Sequence, residues 1–149
     1  MTINTTTNVA QLSTAAIRAL TSGEISGLTT FQASKLSATQ LNALTSSQIQ
    51  DLETTDLAKI TATVVAGLGT TAMVGLTSAQ VIALTTEQAA GLKAVQLDAL
   101  TNFNKLETAD LAAITGTNFA GVSTSQLFAL TTTQAAALTA AQVSALATN

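Results

Sequence analysis

An apolar residue recurs at every eighth position through almost the whole chain. Leu or Ile occupies every eighth position from Leu12 to Leu100, and the spacing resumes at Leu106 after a single step of six residues. Repeats of this kind decide the fold more strongly than any local feature. We divide the chain into 18 octads, units 1 to 18, which form one repeat domain over 1–149, with repeats at about 9–146 and a two-residue deletion at 101–106. The Leu positions are Leu12, Leu20, Leu28, Leu36, Leu44, Leu52, Ile60, Leu68, Leu76, Leu84, Leu92, Leu100, Leu106, Ile114, Val122, Leu130, Leu138 and Leu146.

A second apolar column, here called the h position, lies three residues before each Leu position. Spacing of i, i+3 places two side chains on one face of a helix, whereas a strand face needs i, i+2. The pattern therefore favours short helices over a β-solenoid. The h positions are Val9, Ile17, Ile25, Ala33, Leu41, Ile49, Leu57, Val65, Met73, Val81, Ala89, Leu97, Phe103, Leu111, Phe119, Leu127, Ala135 and Val143.

Each octad also carries a signal for the start of a helix. The residue after the Leu position is Ser or Thr in 13 of 18 units, and Gln often follows three residues later. This pair is a capping box, in which the hydroxyl and the long side chain satisfy backbone amides reciprocally. Nine pairs match: Thr21/Glu24, Thr29/Gln32, Ser37/Gln40, Thr45/Gln48, Thr77/Gln80, Thr85/Gln88, Ser123/Gln126, Thr131/Gln134 and Thr139/Gln142.

One continuous helix does not fit this repeat. Eight residues turn about 800°, so an apolar stripe would drift by about 80° per octad. The helix must therefore restart in every octad, and such short helices need burial against neighbouring units. We predict an all-α solenoid of about 18 short capped helices, with Ala or Gly before the Leu position allowing close approach. Polar residues at that position in units 1, 4, 7 and 13 hint at three octads per coil, but Asp51 in unit 6 breaks this pattern, so two or three octads per coil stay open.

The composition excludes several functions. The chain has no His or Cys, and only 9% of its residues are charged, for a net charge of −3. It therefore lacks the side chains of His-based catalysis, thiol chemistry and ordinary zinc or haem sites. Five scattered cations also give no nucleic-acid footprint. We expect a protein that is not an enzyme, has no cofactor or metal, binds no nucleic acid and has no membrane span.

Two acidic pairs stand at the capping positions of their octads. Glu53 with Asp56, and Glu107 with Asp110, replace the usual Thr and Gln. We interpret them as acidic caps that complement helix N-termini, and favour this over a calcium site.

The four phenylalanines divide into two pairs. Phe103 and Phe119 occupy the h column, which predicts core positions, whereas Phe31 and Phe128 lie outside it. We interpret the latter two as corner or packing residues, in preference to a ligand site.

The ends of the array suggest how the protein functions. Stable solenoids need polar capping repeats, yet the first and last units have the same apolar pattern as the inner ones. We expect end-to-end association between copies of the chain through Val9, Leu12, Val143 and Leu146, giving a scaffold or filament. Two alternatives remain open: a segment of a longer array, or a monomeric binding module, such as an adhesin segment or an ice-binding protein with exposed Thr.

The octads also resemble repeats of known proteins. Leu76-Thr-Ser-Ala-Gln-Val-Ile-Ala-Leu84 is similar to repeats of large bacterial surface or secreted proteins described as adhesin- or haemagglutinin-like. The resemblance implies a bacterial, extracellular scaffold. Because the N-terminus has no Sec-type signal, we expect export by another route, and a cytoplasmic location stays open.

Overall fold

The computed structural model describes residues 3–147, and the regular secondary structure in that range consists of short helices with no strand. It contains sixteen α-helices of four to seven residues and two 3₁₀ turns, at Val9–Gln11 and Phe103–Lys105. The α-helices are α1 (Thr14–Arg18), α2 (Ser22–Ser26), α3 (Thr30–Ala33), α4 (Ala38–Leu41), α5 (Ser46–Gln50), α6 (Thr54–Leu57), α7 (Ala62–Val65), α8 (Thr70–Gly75), α9 (Ser78–Ile82), α10 (Thr86–Ala90), α11 (Ala94–Ala99), α12 (Thr108–Ala113), α13 (Gly116–Phe119), α14 (Thr124–Phe128), α15 (Thr132–Ala136) and α16 (Ala140–Leu146).

Each octad contributes one helical element, as the sequence predicts. Two of the eighteen elements differ from the prediction because they are 3₁₀ turns. One is the shortened unit 13, where 101–106 has too few residues for an α-helical segment between its two corners.

Three octads make one coil of the solenoid. Helix α5 packs against α8, α8 against α11, and α10 against α12, and each of these pairs lies three units apart. The structure therefore decides between the two and three octads per coil that the sequence left open. The six coils are coil 1 (5–28), coil 2 (29–52), coil 3 (53–76), coil 4 (77–100), coil 5 (101–122) and coil 6 (123–146).

The core consists of the Leu and h columns together. From Leu20 to Val122 every residue of both columns is buried, including Phe103 and Phe119. The two rings contact each other, with centroids 6.3 Å apart. Both predicted columns therefore lie inside the solenoid, and the neighbouring coils bury what a short helix could not bury alone.

In several units the residue before the Leu position packs against the coil before it, whereas Lys35, Lys59 and Lys105 are exposed at this position. A Cβ atom on Gly75 would lie 2.8 Å from the carbonyl oxygen of Ser46, and one on Gly121 would lie 2.5 Å from the Cβ of Ala94. None of the described glycines has a positive φ. Small residues are therefore needed here for space between the coils, as the sequence predicts.

This close packing gives a prediction with an internal control. Replacing Gly75 with Ala should destabilise the fold by about 1–3 kcal/mol, because a backbone segment must move. Replacing Gly23 with Ala should instead stabilise it by about 0.5–1 kcal/mol, since that position is helical and no atom lies within 4 Å. Urea unfolding of the two variants measures both effects. Equal effects of the two substitutions would contradict the packing described here.

Candidate functional site

All nine predicted capping boxes are formed in the structure. In α10, the Thr85 amide donates to Oε1 of Gln88 at 2.9 Å, and the Gln88 amide donates to the Thr85 hydroxyl at 3.3 Å. These bonds satisfy two of the amides that a helix start leaves free.

The same glutamines form a second set of bonds, which links successive coils. The side-chain nitrogen Nε2 of Gln88 donates to the carbonyl oxygens of Leu57 at 2.8 Å and Ile60 at 2.6 Å. These two carbonyls belong to the corner that lies beneath, in the coil before. Such a glutamine therefore starts its own helix and also holds the neighbouring coil. We call this arrangement a glutamine stitch. The stitching residues are Gln32, Gln40, Gln48, Gln80, Gln88, Gln96, Gln126, Gln134 and Gln142.

Stitched coils alternate with coils that have no stitch. Coils 2, 4 and 6 each carry three stitching glutamines. Most of them bind the coil before their own, whereas Gln80 and Gln126 bind the last corner of the coil before that. In coils 1, 3 and 5 other residues occupy the glutamine position, directly before the h position. Coils with three stitching glutamines therefore alternate with coils that have none. The replacing residues are Asn8, Ala16, Glu24, Asp56, Val64, Ala72, Asn102, Asp110 and Asn118.

The junctions at which an unstitched coil follows a stitched one use fewer and different polar contacts. Between coils 2 and 3, Asn42 donates to the carbonyl oxygen of Gly67 at 3.0 Å and accepts from the Gly69 amide at 2.7 Å. Between coils 4 and 5, the Ser78 hydroxyl donates to Oδ1 of Asn102 at 3.1 Å, and Nδ2 of Asn102 donates to the carbonyl oxygen of Leu76, at the end of coil 3, at 2.8 Å. These contacts suffice to continue the solenoid, so a coil without glutamines can follow a stitched one.

The two acidic pairs lie at these junctions, and their environment differs from the prediction. Glu53 and Glu107 occupy N-cap positions but form no side-chain cap bond. Asp56 and Asp110 are buried, and Oδ2 of Asp56 has no hydrogen-bond partner. Burial is the main cause that raises the pKa of both aspartates. Both aspartates lie in the first turn of their helices, as the interpretation as acidic caps requires, but desolvation outweighs the attraction to the helix N-terminus in its effect on their pKa.

Replacing Asp56 with Asn should stabilise the fold at neutral pH. A raised folded-state pKa means that the stability contributed by Asp56 is present at low pH and is lost as the pH rises through that pKa. The neutral amide avoids this loss, and we expect a gain of about 1–3 kcal/mol at neutral pH that disappears towards about pH 4. Urea unfolding over this pH range measures it. The exposed Asp98→Asn variant is the control and should show no such pH-dependent gain.

The two ends of the array differ from the inner coils. In coil 6, Val143 is 53% exposed, Ala135 is exposed, and Leu146 is half-buried. At the other end Val9 is fully buried and Leu12 is half-buried. Of the four residues predicted for end-to-end contact, Val143 thus lies at the surface, whereas Val9 is not available because it belongs to the core.

Phe31 and Phe128 do not pack as predicted. Phe31 is 70% exposed and Phe128 is 87% exposed. Both lie on the outer side of their helices, where no other coil covers them. The interpretation as corner or packing residues is therefore wrong.

Neither a cluster of metal ligands nor a membrane-spanning helix is found among the described residues 3–147. No group of three or more His, Cys, Asp or Glu side chains is close enough to hold a metal ion there. None of the helices in this range is long and apolar enough to cross a membrane.

Comparison with known families supports the repeat itself. A family model of the ALTTAQ repeat matches residues 49–86, which run from α5 to the start of α10. The chain is thus similar to this repeat in the segment that runs from the end of coil 2 through coil 3 to the start of coil 4. No curated protein and no solved structure matches the chain.

Proposed function

We propose that the protein is a non-enzymatic structural scaffold whose copies stack end to end into filaments. The observation that carries this proposal is the exposed apolar face of coil 6. The residues of the same columns are buried in the inner coils but partly exposed here. Burying apolar surface of this kind favours association.

The free side of coil 1 complements this face. The small residues before the Leu positions, Ala19 and Gly27, are exposed in coil 1, whereas Gly75 in the same position is buried against the coil before it. Coil 1 therefore offers one half of an interface that recurs inside the chain, and coil 6 offers the other half. Contact between unlike ends does not close on itself and gives open-ended growth.

The order of stitched and unstitched coils also supports this stacking. Within the chain, an unstitched coil twice follows a stitched one, at coils 3 and 5. Coil 1 is unstitched and coil 6 is stitched. If coil 1 of one copy stacks on coil 6 of another copy, an unstitched coil again follows a stitched one, as it does inside the chain. The low charge of the chain adds little repulsion between copies. The resemblance to repeats of bacterial surface proteins supports a location outside the cell.

The Val143→Asp substitution tests the proposal. A carboxylate at the centre of the end-to-end contact would be desolvated and unpaired, which costs binding free energy. In sedimentation velocity, we expect the unmodified protein to form species that grow with concentration, and the variant to remain monomeric. Negative-stain microscopy should show filaments for the former alone.

The matched control is Val95→Asp, since Val95 is similarly exposed but lies on the side of the solenoid. This variant should still assemble. A monomeric wild-type protein at high concentration would refute the stacking proposal and would favour the monomeric binding module. Equal loss of assembly in both variants would show that the contact is not at the end.

A further inference from the structure

One side of the solenoid carries a set of exposed apolar residues. This side is formed by the stack of α3, α6, α9, the 3₁₀ turn Phe103–Lys105 and α14. Phe31 lies on it in coil 2, Ile82 in coil 4 and Phe128 in coil 6, with exposures of 70%, 49% and 87%. Successive members of this set lie two coils apart, Phe31 at the third position of its octad and the other two at the sixth. Large apolar side chains exposed together on one side of a protein indicate an interaction surface.

Three of the five cations of the chain lie on the same side. Lys35, Lys59 and Lys105 are exposed, in coils 2, 3 and 5. The ammonium group of Lys35 lies 5.0 Å from the centre of the Phe31 ring, so a cation and an aromatic ring act together there. We call this side the lysine face.

The lysine face is positive on a chain that is negative as a whole. The lysine face has three exposed lysines and one exposed acid, Glu53, so the net charge of its exposed residues is 3 − 1 = +2. Asp56, on the same stack of helices, is buried. The two other sides together carry Arg18 and Lys93. The acids of those sides are Glu24, Asp51, Glu87, Asp98, Glu107 and the buried Asp110.

We infer that the lysine face docks onto an anionic lipid bilayer. A small ligand cannot contact residues that are spread from coil 2 to coil 6, whereas a planar surface can. Ile82 offers no ring for stacking on a sugar or a base, so the set fits an apolar medium better than a soluble polyanion. Phenylalanines at the boundary of headgroups and acyl chains, combined with lysines that reach acidic headgroups, give the two attractions that peripheral binding needs. The small residues between them, such as Ala58 and Ala79, allow close approach.

Co-sedimentation of the whole protein with vesicles of equimolar phosphatidylglycerol and phosphatidylcholine tests this inference. We expect binding to these vesicles, little binding to pure phosphatidylcholine, and a decline between about 0.1 M and about 1 M salt. The double substitution Lys59→Ala and Lys105→Ala should weaken binding about 25-fold, that is about 5-fold for each lysine. The double substitution Phe31→Ser and Phe128→Ser should weaken it by about 10-fold or more.

Matched variants on the other sides control for charge and apolarity. Arg18→Ala with Lys93→Ala removes the same charge, and Val74→Ser with Val95→Ser removes exposed apolar residues elsewhere. Both should bind as the unmodified protein does, and circular dichroism checks that all variants are folded. No binding to the anionic vesicles, or equal losses in the control variants, would overturn the inference. Binding to a soluble acidic polysaccharide without vesicle binding would also overturn it. Because Val143 lies off this face, the Val143→Asp variant separates vesicle binding from end-to-end assembly.

Discussion

Replacing Gln88 with Glu should lower the free energy of unfolding by about 3–5 kcal/mol at neutral pH. The side chain is 1% exposed, and its Nε2 atom lies within 2.8 Å of two carbonyl oxygens. In the variant a carboxylate oxygen takes the place of this donor, so a buried negative charge faces two acceptors. Such a loss is a large fraction of the roughly 5–15 kcal/mol that stabilise a typical domain. Urea unfolding at neutral pH measures it.

The effect of this substitution should depend on pH in a definite direction. Burial and the facing carbonyls favour the protonated acid, which raises its folded-state pKa. The stability of the variant is therefore highest below the ordinary carboxyl pKa and falls as the pH rises. Gln50→Glu is the matched control because Gln50 is exposed at the end of α5. If both substitutions had the same effect at neutral pH, Gln88 would not be a stitch.

Replacing Leu84 with Ala should cost about 2–5 kcal/mol, because it removes a buried side chain and leaves a cavity between the coils. Replacing the neighbouring Thr85 with Ala should cost nearer 1 kcal/mol, since it removes one capping bond at the surface. Urea unfolding of the two variants compares core and cap directly. Equal costs would mean that the assignment of Leu84 to the core and of Thr85 to the corner between helices is wrong.

The elements of the fold were predictable because their causes are local in sequence. The i, i+3 spacing of the h and Leu positions indicates a helix, and the pair Thr85 and Gln88, three residues apart, marks where a helix starts. The polar Lys35 and Lys59, three units apart, reflect the three-unit coil because both lie on one side.

The contacts between coils were not predictable in the same way. The partners of Gln88 are 28 and 31 residues earlier in the chain, so no local pattern reveals them. One signal was available, namely that the capping position carries Gln far more often than Glu, although both cap equally well. Only the amide side chain of Gln, and not the carboxylate of Glu, can also donate a hydrogen bond to the carbonyl oxygens of another coil. The burial of Asp56 and the exposure of Phe128 likewise depend on which side of a coil faces another coil.

The alternation of stitched and unstitched coils links the fold to the proposed scaffold. The glutamines of coil 4, for example, form six bonds to earlier coils, four of them to coil 3 and two, from Gln80, to the end of coil 2. A junction such as that between coils 2 and 3 relies mainly on apolar packing and a few bonds from Asn42 and Ser46. A contact between two copies of the chain can therefore resemble the junction between coils 2 and 3 even though coil 1 has no stitching glutamine.

The hydrogen exchange of the glutamine side-chain amides, measured by NMR, tests the stitches most directly. The chain has eleven glutamines, of which nine are stitches and two, Gln11 and Gln50, are exposed. We predict slow exchange for the side-chain amide protons of the nine, with those of Gln88 and Gln142 among the slowest because both donors are buried. Gln11 and Gln50 should exchange at the rate of a free side chain. Fast exchange of all eleven side chains would contradict the account of how the coils are held together.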